Sequence, residues 1–214
     1  MECARAQGLR ILLDIVPNHM SASEHDPWWD DVLAHGPFSG FVEYFDFRNQ
    51  PGEPFRVHLC SLARPYGEAL EAGELTIEIK EGRPRVRHYD KSWPLGPASW
   101  RKLLSATELG PADGGRPADD ERCFGELERM LGTDCAGEKE CGEYRRHAAQ
   151  AECILSSAHS NGQLALAAER VRANKELLDA VLQRQFYQLH GWKLSGELTA
   201  PPDAGRSWPL TTNR

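Results

Sequence analysis

Leu9-Arg10-Ile11-Leu12-Leu13-Asp14-Ile15-Val16-Pro17-Asn18-His19 is the stretch on which the reading of the fold turns. Its apolar residues do not alternate with polar ones, which is the pattern of a strand covered on both faces. A short helical run, 2–7, is stopped by Gly8 just before it, and Pro17 ends it. Helix, glycine and buried strand in succession is the rhythm of a parallel α/β sheet. The strand then delivers Asn18 and His19 to its C-terminal end, where the loops of parallel folds converge on ligands. Asp14 lies inside the apolar run, so its charge needs a partner there. Asn18 both donates and accepts, and a protonated ring nitrogen of His19 donates to a hydroxyl. Two readings stay open on residue types alone. Either these three hold a ligand, or Asp14 pairs with a neighbouring strand and Asn18-His19 form a turn.

Downstream, Asp26-Pro27 is a helix start, with Asp26 as cap and Pro27 in the first turn, and Gly36-Pro37 is its stop. Short extended pieces are expected around Tyr44–Phe47 and Phe55–Leu59. Residues 74–80 alternate with period two; Glu81-Gly82-Arg83-Pro84 and then 85–89 complete a hairpin signal. From residue 99 the character becomes helical: Ser99 is read as the cap of a short helix through Leu104, and 110–120 as a loop rich in Gly, Pro and Asp. Helical patterns follow over 119–132, 138–158 and 163–189. In the last, Leu164, Val171, Leu178, Val181, Leu182, Phe186 and Leu189 share a face, with Asn174 as an interrupting cap. Residues 200–214 have no period and read as disordered.

A net charge of −7 without a long basic run argues against nucleic acid and anionic membrane as partners, and leaves a neutral ligand such as a sugar compatible. No apolar stretch approaches a membrane span, and the first residues lack a secretory core, so a reducing cytoplasm is expected for the six cysteines. Their spacing does not make a zinc knuckle, and neither metal nor cofactor is expected.

Leu12 to His19 resembles the first signature region of the alpha-amylase superfamily, at the end of the third barrel strand. Further segments are similar to the malto-oligosyltrehalose synthase family. They are Asp26-Pro27-Trp28-Trp29-Asp30-Asp31-Val32-Leu33, Tyr44-Phe45-Asp46, Arg64-Pro65-Tyr66-Gly67-Glu68-Ala69-Leu70-Glu71-Ala72-Gly73-Glu74-Leu75 and Tyr89-Asp90-Lys91-Ser92-Trp93-Pro94-Leu95-Gly96-Pro97. Near the end Gln185-Phe186-Tyr187-Gln188-Leu189 and Trp192-Lys193 match again, so the resemblance runs in order from residue 2 to about 198, loosely over 110–170.

The resemblance implies an α/β fold: the third strand of a (β/α)8 TIM barrel plus a large mixed α+β insertion, mostly helical in its second half. The organisation expected is 1–20 as a barrel helix end and third strand, 21–100 as an insertion with a short helix and hairpin, 101–190 as a helical segment and 191–214 as an unpatterned tail. It implies an enzyme that moves the reducing-end α-1,4 linkage of a malto-oligosaccharide to α,α-1,1, by a retaining mechanism with two carboxylates. Asp14, Asn18 and His19 are the implied substrate-binding residues. Arg64 and Tyr66 either line the cleft or fix the turn that Pro65 and Gly67 demand, and the turn is favoured. No catalytic residue is assigned: no Arg-x-Asp nucleophile motif and no strand ending in a lone glutamate follows residue 20. The chain is therefore read as an inactive internal fragment. The alternatives are another alpha-amylase-family glucan hydrolase or transferase, and a non-catalytic glucan-binding or docking module. One of Trp28 and Trp29 must be core, since neighbours on a helix face different ways. Glu68, Glu71 and Glu74 read as a solvated face. The apolar strand 9–16, without its barrel neighbours, is expected to drive self-association.

Overall fold

The computed structural model describes residues 6–8, 22–23, 26–47, 54–107, 118–132, 137–194 and 211–212. Helix α1 (Pro27–His35) begins as expected: the Asp26 carboxylate accepts from the backbone N–H of Trp28 at 2.9 Å, and Pro27 occupies the first turn. It ends at Gly36, whose φ of 55° and ψ of −130° suit only glycine. A Cβ there would also meet the Phe186 ring at 2.4 Å. Two single-turn 3-10 segments, Gly36–Phe38 and Val42–Tyr44, lead to β1 (Asp46–Phe47) and β2 (Val57–Leu62).

After α2 (Tyr66–Glu71) comes an antiparallel meander, β3 (Leu75–Lys80), β4 (Arg83–His88) and β5 (Lys91–Pro94). Its first turn is the two-residue loop Glu81-Gly82, both at positive φ, so β4 starts at Arg83, two residues before the expected position. Leu75, Ile77, Val86, His88 and Trp93 are buried, as period two requires of one sheet face. β5 is an addition to the expected hairpin.

The helices follow: α3 (Pro97–Leu104), α4 (Ala118–Met130), α5 (Glu138–Ser160), α6 (Gln163–Ala173) and α7 (Lys175–Leu182). Gly96, not Ser99, is the cap of α3; the Ser99 hydroxyl instead donates back to the Gly96 carbonyl at 2.8 Å. Asn174 does interrupt the last pattern, its side chain accepting from Leu177 N–H at 3.0 Å at the start of α7. The single helix expected through residue 189 fails beyond that point. Phe186 lies in the connection, and Leu189 belongs to a strand, β6 (Tyr187–Gly191), opposite Leu59. The physical reason is a change of period: Tyr187 and Leu189 are buried while Gln188 and His190 are half-buried, an alternation that no helix makes. β7 (Thr211–Thr212) pairs antiparallel with β1.

The fold is thus mixed α and β, and the described residues form three small sheets of orders β1-β7, β2-β6 and β3-β4-β5. Among the described residues no sheet closes into a barrel, and the expected third barrel strand, 9–16, lies outside them. One apolar core runs from Trp29, Val32 and Leu33 of α1 through Ile77 and Val86 of the meander to Tyr144, Val171 and Leu189. Trp29 is the core tryptophan; Trp28 stacks on Phe41 with ring centroids 5.0 Å apart. The expectation of reduced cysteines fails at Cys141, which is disulfide-bonded, whereas Cys60, Cys123 and Cys153 carry free thiols. Among the described residues no helix is long and apolar enough to cross a membrane.

Candidate ligand-binding site

β2 and β6 run parallel, in register from Val57 opposite Tyr187 to Cys60 opposite His190, after which a one-residue shift in β2 brings Leu62 opposite Gly191. Both strands therefore end on the same side, and the segments that leave them must diverge there. Ala63-Arg64-Pro65 turns into α2, and Trp192–Leu194 forms a 3-10 turn. Between them lies a cleft of about 530 Å³ whose walls include Arg64, Tyr66, Glu68, His190, Trp192 and Lys193. An opening at the C-terminal ends of parallel strands is where α/β folds present ligands, because it is the one edge at which side chains converge from separate connections. Gly191 forms the floor: a Cβ on it would lie 3.0 Å from the Arg64 carbonyl carbon and oxygen, closer than side chains normally approach backbone.

The Arg64–Tyr66 wall is held by polar contacts to neighbouring elements. The Tyr66 hydroxyl donates to Asp179 Oδ1 on α7 at 2.7 Å, and Gln183 donates to the same oxygen at 3.1 Å. Burial first, and then this hydrogen bond, raise the Tyr66 pKa, so the phenol stays protonated. Arg64 lies 3.0 Å from Glu74, whose side chain is only 10% exposed and whose other oxygen is 3.4 Å from His88 Nε2. The Tyr89 hydroxyl also hydrogen-bonds Glu74, which raises the phenol's pKa. Glu74 is thus a buried clamp for Arg64, while Glu68 and Glu71 are the solvated pair expected of all three. Trp192 is 57% exposed and is one of four large hydrophobics that face solvent among the described residues.

On the half-buried face of the strand pair, His58 Nδ1 and His190 Nε2 are 2.9 Å apart, with ring centroids 5.0 Å apart at 29°. Burial lowers both imidazoles; His58, with His190 and Arg56 adding their charge, is brought down to about 4. Among the described residues no group of three or more His, Cys, Asp or Glu could hold a metal ion.

A second cleft, of about 380 Å³, lies between α1, the meander and α5, and several of its polar residues are paired. Arg85 makes a two-point bond to Asp30 at 2.6 and 3.2 Å, Arg83 lies 3.0 Å from Glu152, and His35 meets the buried Tyr144 hydroxyl at 3.1 Å. Such mutual pairing is the chemistry of a structural joint between elements.

Of the residues singled out in the sequence, Arg64 and Tyr66 come together on one cleft wall; Asp14, Asn18 and His19 lie outside the described residues. Pro65 stands at the cap of α2 between them, so the turn and the cleft wall are one feature. Sequence reasoning missed Trp192, His190, His58 and Glu74. The alternation over 187–191 was the signal for His190, and a helix reading obscured it.

No family model matches the chain, and no solved structure matches it. Two Mycobacterium tuberculosis proteins, from strains CDC 1551 / Oshkosh and ATCC 25618 / H37Rv, are similar to it. Each carries the name "Putative maltooligosyl trehalose synthase" and is 31% identical over 125 residues. The match covers 50% of this chain and 16% of each relative, so the chain corresponds to a small part of those proteins. This is a distant relationship.

Proposed function

We propose that this chain is a substrate-binding segment of an intramolecular transglucosidase of the malto-oligosyltrehalose synthase type, and that its cleft takes a malto-oligosaccharide. The observation that carries the reading is where the family-like motifs fall. Arg64, Pro65, Tyr66 and Glu68 of one such motif line one wall of the cleft, with Arg64 clamped through Glu74; Trp192 and Lys193 of another line the opposite wall, at the end of the strand that begins at Tyr187. Segments far apart in the chain that both resemble one family thus meet at one opening.

In this reading the exposed indole of Trp192 stacks on the apolar face of a glucose ring, and Arg64 and Lys193 donate to its hydroxyls. As the resemblance implies, His19 hydrogen-bonds the glucose beside the scissile bond, Asp14 supports the catalytic centre and Asn18 orders the loop that follows. The segment supplies recognition, and the two carboxylates that glycosyl transfer requires come from elsewhere in the enzyme. A non-catalytic glucan-binding module is the second reading, favoured by the same exposed Trp192.

Calorimetric titration with maltopentaose tests this. Binding without formation of any trehalose-ended product is expected. Trp192→Ala should weaken binding roughly tenfold, the loss of about 1.4 kcal/mol of stacking and burial. Unchanged affinity in that variant removes the stacking role, and no binding to the intact chain removes the reading.

A further inference from the structure

The histidine pair is unaccounted for by sugar recognition, and its position ties it to the cleft. His58 lies in β2, and His190 lies in β6 one residue before the glycine floor and two before Trp192. A bond between two ring nitrogens needs one donor and one acceptor. It therefore survives with both rings neutral or with one protonated, and it cannot survive with both protonated. In that state two cations face each other at hydrogen-bond distance across the two strands.

We propose that the His58–His190 pair is a proton-operated latch on β2–β6 that keeps the cleft closed on its ligand when neutral and releases it on acidification. This rests on the reading of the cleft as the glucan site. The surroundings favour the neutral pair. Arg56, just before β2, adds positive charge beside His58. Cys60, opposite His190 in the register, is a thiol whose pKa burial raises, so it brings no negative charge. Tyr66 and Gln183 line a small cavity with His190, with Asp179 already taken by both, and Arg64, Glu68 and Lys193 line the larger cleft with it. Burial of the rings lowers both titrations, and that direction sets the sign. The folded state binds fewer protons than the unfolded chain below the ordinary histidine value of about 6.5. The latch is fully closed above that value and loosens as pH falls towards about 4. Release of β6 carries His190, Gly191 and Trp192, one whole wall of the cleft, away from Arg64 and Tyr66.

Hydrogen exchange of the amides in 57–62 and 187–191 of the full chain reads the latch directly. Exchange is compared at about pH 7.5 and about pH 4.5, on either side of the histidine range, and corrected for intrinsic rate. Wild type should lose about tenfold protection at the lower pH, the equivalent of one pKa unit, and His58→Gln, which hydrogen-bonds without titrating, should lose less than about threefold. Retained protection in wild type, or an equal loss in His58→Gln, overturns the latch. Should His58→Gln fail to fold, wild-type imidazole resonances decide: coupled titrations below about pH 6 support the latch, and independent ones near the unperturbed value of about 6.5 overturn it. Maltopentaose affinity is read on the same samples. Binding that fades with strand protection supports the coupling, and binding that persists after the strands open overturns it. Absence of binding at both pH values removes the glucan reading and the control of that site, while exchange still shows whether the pair opens.

Discussion

The meander β3–β4–β5 and the parallel pair β2–β6 are both small sheets, and they are specified in opposite ways. The meander lies wholly within residues 75–94, and a two-residue loop sets its first register, Lys80 opposite Arg83. Everything that aligns β3 with β4 is in the strands and their turn: alternating burial, and two residues at positive φ. β2 and β6 have no such turn. Their paired histidines are 132 residues apart in sequence, and the strands meet because other parts of the molecule bring them together. The Tyr66–Asp179 bond ties α2 to α7, Gly191 lets β6 pass beneath Arg64, and Gly36 lets Phe186 seat against the end of α1. A local sheet carries its own instructions; a non-local one borrows them from its surroundings. The candidate site sits on the borrowed one.

If the difference is real, the parallel pair should be most easily broken at positions outside both strands. Gly36→Ala is expected to have the largest effect. Its Cβ would overlap the Phe186 ring at 2.4 Å, and its backbone lies in a region alanine avoids. Strain and overpacking together should cost roughly 3–5 kcal/mol in urea unfolding. Loss of protection should be seen first in 187–191. A variant as stable as wild type would show that Phe186 can move aside and that the pair does not depend on that joint.

Tyr66→Phe should come next. It removes one hydrogen bond and leaves Asp179 with Gln183 as a donor, so the cost should be about 1–2 kcal/mol. The meander should be untouched, since neither residue contacts it through a bond shown here. Equal loss of protection in both sheets would contradict the contrast, because it would mean that the two sheets unfold as one unit.

The same contrast explains what was legible in the sequence. Asp26-Pro27, the 74–80 alternation and Asn174 could be read because each signal acts within a few residues of itself. β6 could not: the apolar spacing of α6 and α7 extends by chance to Phe186 and Leu189, and only the partner strand distinguishes the continuations. β5, at four residues, is too short for alternation to emerge from its neighbours. In the site, Arg64 and Tyr66 could be singled out because they open a continuous stretch, Arg64 to Leu75, that resembles the family. His58 and His190 carry no such local mark, and their meaning lies in being 2.9 Å apart.

The smallest expected effect is at Gly82, and it tests the local half of the comparison. Gly82 has φ of +77°, beside Glu81 at +53°, the pair of left-handed residues that a tight two-residue hairpin requires. A Cβ on Gly82 would come no closer than 3.4 Å to the His159 ring, an ordinary contact, so sterics with the rest of the fold are not at issue. What remains is the intrinsic cost of a left-handed residue. Gly82→Ala should therefore destabilise by roughly 1 kcal/mol, and Gly82→Asn by only a few tenths, because asparagine tolerates that conformation. Urea midpoints of the two variants check this. The ordering is the informative part. If Asn costs as much as Ala, the turn is held by its packing against α5, and the meander, like the parallel pair, takes its register from elsewhere in the molecule.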